Sequence, residues 1–64
     1  MNNYTHTDAR VGRYRAESSP DGCRARVIHE PTGRTVRRFT GETAHTDAVR
    51  WAYDTDARER FENR

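Results

Sequence analysis

Three short segments of the chain alternate apolar or small residues with polar ones, and a turn cluster follows each of the first two. Residues 10–17 read Arg-Val-Gly-Arg-Tyr-Arg-Ala-Glu, residues 23–29 Cys-Arg-Ala-Arg-Val-Ile-His, and residues 34–40 Arg-Thr-Val-Arg-Arg-Phe-Thr. Alternation of period two is the mark of a half-buried strand. Ser18-Ser19-Pro20-Asp21-Gly22 and Glu30-Pro31-Thr32-Gly33 are turn signals: Pro presets φ, Asp bonds nearby backbone, and Gly accepts positive φ. The pattern predicts an antiparallel meander of three strands. Residues 1–9 are polar and unpatterned, and read as a flexible leader.

After Gly41 the period changes, and neither Pro nor Gly occurs again. Two rows of small and apolar residues recur every fourth position: Ala44, Ala48 and Ala52, and Val49, Tyr53, Ala57 and Phe61. This predicts one long helix, capped by Thr43 or Thr46, with Asp47 complementing the dipole of its first turn, unless Asp54-Thr55-Asp56 interrupts and restarts it. The fold class expected is α+β, a three-stranded sheet packed on one C-terminal helix in the order β-β-β-α. Residues 10–64 then form a single small domain.

Composition qualifies this picture. Of 64 residues, seven are Ala and none is Leu, and only ten are large apolar residues of the patterned segments. So light a core implies support from elsewhere. One cysteine excludes an internal disulfide framework. Low hydrophobicity is also the signature of disorder, but the regular turns and periodicity argue against it. No apolar run is long enough for a membrane span or a secretory h-region, so a cytoplasmic location is expected.

All twelve basic residues are Arg. The net charge of +2 conceals a division: residues 10–38 carry +5 and residues 39–64 carry −2. With Tyr14, Ala16, Cys23, Ala25, Val27 and Val36 turned toward the helix, the opposite sheet face shows Arg13, Arg15, Arg24, Arg26 and Arg37, with Ile28 and Phe39. Arg38 then falls on the helix side, so that either a bulge intervenes or its head group reaches past the sheet edge. Like charges opposite one another destabilise strand pairs, and an anionic partner would relieve them. Arg suits phosphate and base recognition, which makes nucleic acid the leading partner. Arg stems also cover apolar surface, so a merely solvated face is the competing reading.

The run from Gly22 to Asp54 includes the Glu30-Pro31 turn, the Thr32-Gly33 hairpin and the helical Ala48-Val49-Arg50-Trp51-Ala52-Tyr53-Asp54. It resembles the AP2 and integrase N-terminal family of three-stranded DNA-binding domains. The resemblance covers about half the chain. It implies a sheet that reads the DNA major groove, with Arg24, Arg26 and Arg37 facing the DNA. Three family features differ here: Cys23 stands where the second strand opens on Trp, Arg37-Arg38-Phe39 replaces Trp-Leu-Gly in the third strand, and the spacing from hairpin to helix is not the family's.

No other chemistry is indicated. Cys23 reads as a small buried hydrophobe. His6, His29 and His45 are dispersed, whereas a metal site needs three or four converging ligands. Asp54, Asp56, Glu59 and Glu62 read as a solvated helix face, or as acids that pair with Arg58 and Arg60 or with basic partners. No Gly-rich phosphate loop is present, so neither enzyme activity nor a cofactor is expected. Trp51, beside the apolar rows, is expected to wedge against the sheet or, with Phe61, to anchor a protein interface. The two functions expected are a nucleic-acid-binding module, foremost for DNA, in a regulatory or accessory role, and a protein-interaction module or homodimer.

Overall fold

A computed structural model describes residues 4–62. Four antiparallel strands, β1 (His6–Val11), β2 (Tyr14–Ser18), β3 (Arg24–His29) and β4 (Arg34–Thr40), follow one another in a sheet of order β1-β2-β3-β4. One helix, α1 (Ala44–Glu62), covers one face. The class is α+β as expected, but the sheet has four strands rather than three. The segment read as one strand over 10–17 folds back on itself at Gly12-Arg13. Gly12 has φ +56°, which suits glycine in so tight a connection. Residues 6–9 of the segment read as a leader belong to β1, and residues 1–3 lie outside the described residues.

The two later turns form where Pro and Gly foretold. In the first, the Gly22 amide donates to the Ser19 carbonyl at 2.9 Å. The Ser19 hydroxyl and the Cys23 amide both donate to the Asp21 carboxylate, at 2.6 and 3.0 Å. These bonds, the hydroxyl's foremost, hold the Asp21 carboxyl below its usual range. Cys23 lies in this loop and is exposed, not in a strand facing the helix as its alternation suggested. The second turn closes with the Gly33 amide on the His29 carbonyl at 2.8 Å.

The core lies between α1 and the sheet. Tyr14, Ala16, Ala25 and Val27 meet Ala44, Ala48 and Ala52, flanked by Ala9, Val11, Phe39, Val49 and Trp51. Val27 is the one large side chain with under 2% exposure among the described residues. Of the two helical rows, the alanines face inward. Small side chains let α1 approach the sheet, and Trp51 fills the space beside them. Its ring meets Tyr14 edge-on at 5.7 Å. Thr43 directly precedes α1, and its hydroxyl donates to Asp47 at 2.9 Å.

Beyond Ala52 the inner face of α1 turns polar. The Tyr14 hydroxyl donates to Glu59 at 2.5 Å. A Cβ placed on Gly12 would lie 2.0 Å from Asp56 Oδ1. Both acids are half-buried, so they do not belong to a solvated face, although Asp54 and Glu62 do; Asp56 makes the pairing with Arg60 that was the other expectation, at 3.1 Å. The charged half of the helix thus docks on the β1–β2 turn by polar contacts, where an apolar stripe would ordinarily do so.

Candidate nucleic-acid interface

Register decides which arginines share the face that α1 leaves uncovered. Ala9, Val11, Tyr14, Ala16, Ala25, Val27 and Phe39 all pack toward the helix. Residues directly opposite in an antiparallel pair point the same way. Arg10 opposes Arg15, Glu17 opposes Arg26, and Arg26 opposes Arg38. The open face therefore carries Arg10, Arg15, Arg24, Arg26 and Arg38, with Glu17 and Ile28 among them.

Of the five arginines expected there, Arg15, Arg24 and Arg26 are in place. Arg13 is not: it sits in the β1–β2 turn, beside Asp56, Glu59 and Arg60. Arg37 is not either. The register shifts between Val27 and Ile28, whose partners are Arg37 and Thr35, so Val36 has no opposite residue. That bulge places Arg37 and Phe39 on the helix side and Arg38 on the open side. The Arg37 guanidinium lies over the Phe39 ring, 5.6 Å from its centroid, and Phe39 joins the core. Val36 itself is 45% exposed. Arg10 was missed, and Arg38 was expected on this side only if a bulge intervened, as one does. A two-residue hairpin at Gly12-Arg13 was the signal for Arg10, and a bulge was the signal for Arg38.

The centre of the face is balanced by an acid. Glu17 is only 8% exposed. Arg26 Nε donates to its Oε1 at 2.9 Å, and Arg15 Nε stands 3.2 Å from its Oε2. Arg15 Nη1 also lies 3.5 Å from Glu30. The Arg15 Nε is buried and its approach to Glu17 is an ion pair without hydrogen-bond geometry. Ile28, opposite Arg15, is 6% exposed on this same face, as expected where Arg stems cover apolar surface. The Tyr4 ring lies over the Arg26 guanidinium, 4.4 Å from centroid to Cζ.

Around this neutralised centre stand Arg10, Arg24 and Arg38, all exposed. Among the described residues none of the three has an ion pair within 4.0 Å. The face thus has a fixed middle, where Glu17 orients two half-buried guanidiniums, and a rim of outward cations. Such an array can bind phosphates through several separate contacts.

Trp51 is half-buried against Tyr14, whereas Phe61, near the end of α1, is 70% exposed. Among the described residues no group of three or more His, Cys, Asp or Glu side chains is arranged to hold a metal ion. Likewise, no described helix is long and apolar enough to cross a membrane. No family model, curated protein or solved structure matches the chain.

Proposed function

We propose that this protein is a small nucleic-acid-binding module, foremost for DNA, that works through the open face of its sheet in a regulatory or accessory role. The observation that carries the reading is the placement of five arginines on one uncovered face, two pairs of them directly opposite: Arg10 with Arg15 and Arg26 with Arg38. Glu17 offsets part of this charge but not the rim, and a phosphate backbone would supply the rest. Phosphates would meet Arg10, Arg24 and Arg38 first, with the outer nitrogens of Arg15 and Arg26 behind them. A cytoplasmic location is part of the same proposal.

The test is chemical-shift mapping with duplex DNA and, separately, RNA. Shifts gathered on the open face support the reading. No shifts with either, or shifts confined to α1, would refute it and leave a protein-interaction role with no nucleic acid.

A further inference from the structure

Tyr4 stands just before β1, in the segment read as a leader, yet its ring lies on the open sheet face, over the Arg26 guanidinium at 4.4 Å from centroid to Cζ. Arg26 belongs to β3, two strand spacings or about 10 Å from β1. The ring therefore reaches across β2 to meet it. Tyr4 is half-buried there and takes no part in the core between the sheet and α1.

Arg26 is held both at an edge and on its plane. Its Nε donates to Glu17 at 2.9 Å, which fixes one edge of the guanidinium. The Tyr4 ring covers the plane, and a guanidinium stacks well on an aromatic face. Among the described residues no ring lies over Arg10, Arg15, Arg24 or Arg38. The Nε bond is also the one hydrogen bond that the Arg26 side chain makes among the described residues, so both Nη groups remain as a fork of donors. Such a fork matches two oxygens of one phosphate. Arg38 stands directly opposite on β4, exposed. Side chains paired in this way are close enough to share one anion.

We propose that Tyr4 is a positioning residue of the open face: it holds the Arg26 guanidinium in the orientation in which its Nη fork, with Arg38 beside it, grips one phosphate of the nucleic acid. This rests on the nucleic-acid reading of the face. A long side chain loses rotamer freedom when it binds, and one already ordered loses less. The ring carries no charge, so unlike Glu17 it orients the cation without offsetting it. The rim arginines supply charge, and Arg26 supplies a fixed direction.

Two measurements on the full chain test this. Without ligand, NMR relaxation of the Arg26 Nε–H group reports how firmly the guanidinium is held. The group should be rigid in the wild type and in Tyr4→Phe, and should gain motion in Tyr4→Ala. With duplex DNA, Tyr4→Ala should bind about three- to tenfold more weakly, and Tyr4→Phe as tightly as the wild type. In an Arg26→Gln background, which keeps a donor for Glu17 but has no cationic fork, Tyr4→Ala should change nothing. Tyr4 lies outside the core, so the circular dichroism of its variants should be that of the wild type; if Tyr4→Ala unfolds, Tyr4→Leu removes the ring with less loss of bulk. Unchanged motion of Arg26, or DNA binding by Tyr4→Ala as tight as the wild type or tighter, would overturn the proposal and leave the nucleic-acid reading standing. So would a loss that persists in the Arg26→Gln background, since Tyr4 would then touch the nucleic acid itself. A wild type that binds no nucleic acid would overturn both.

Discussion

Glu17 and Arg26 face each other across β2 and β3, joined by a 2.9 Å bond from Arg26 Nε to Glu17 Oε1. The bond uses the inner nitrogen of the guanidinium, and Arg15 approaches the same carboxylate with its own Nε. One nearly buried acid thus fixes two cations whose stems cover the open face. Removing one member of a buried ion pair leaves the other charges uncompensated, and the partial exposure of both arginines moderates that penalty. Glu17→Ala is expected to lower stability by about 2 kcal/mol in urea unfolding. On the proposed function, the same variant should bind duplex DNA more tightly, since it removes the acid from the face. Unchanged stability would show that the pair does not hold the face together.

Gly12 forms the hairpin that makes the fourth strand. Its φ of +56° is strained for residues with a Cβ, and the Asp56 carboxylate occupies the place where that Cβ would go. Gly12→Ala should cost about 1–2 kcal/mol for the backbone alone, plus the displacement of Asp56 from its pairing with Arg60. In an Asp56→Ala background the same change should cost only the backbone part. Thermal unfolding of the four proteins of this double-mutant cycle measures the difference. Equal costs in both backgrounds would show that Asp56 gives way freely.

Tyr14 links the sheet to the far half of α1. Its hydrogen bond to Glu59, and secondarily its burial, raise the hydroxyl's pKa above the ordinary value of 10.0. Folding therefore favours the protonated hydroxyl. The resulting stabilisation is complete below pH 10 and is lost as pH rises through the raised folded value. Tyr14→Phe should be less stable at neutral pH by about 1 kcal/mol and should lose less than the wild type as pH rises past 10. Denaturant unfolding across the alkaline range makes the comparison. Parallel losses in the two proteins would contradict the link.

Much of the architecture was legible because turns and periods are local. Pro20, Gly22, Pro31 and Gly33 marked the later hairpins, and the change of period after Gly41 marked the helix. What was hidden depended on single-residue shifts. The β1–β2 hairpin has only Gly12 and Arg13 between its strands, so one glycine had to signal it inside a run that already alternated. The bulge at Val36 reversed the facing of every residue after it, exchanging Arg37 for Arg38, because side-chain direction in a strand has period two. The inward alanine row could not be told from its neighbour by spacing alone, since both recur at i+4. It won because small residues let the helix approach. The partners of Glu17, Asp56 and Glu59 are long-range and left no local mark.

The central claim is that the rim cations of the open sheet face bind a phosphate backbone. Arg10, Arg24 and Arg38 are exposed, and none has an ion pair within 4.0 Å among the described residues, so replacing them leaves the fold's own pairs intact. The decisive measurement is the salt dependence of duplex DNA binding, by fluorescence anisotropy, for the wild type and for Arg10→Ala/Arg24→Ala/Arg38→Ala. The account predicts binding that weakens with salt, and a slope of log affinity against log salt that is shallower by about 2 to 3 in the triple variant. Absence of salt-sensitive binding at low ionic strength, or the same slope in both proteins, would contradict it.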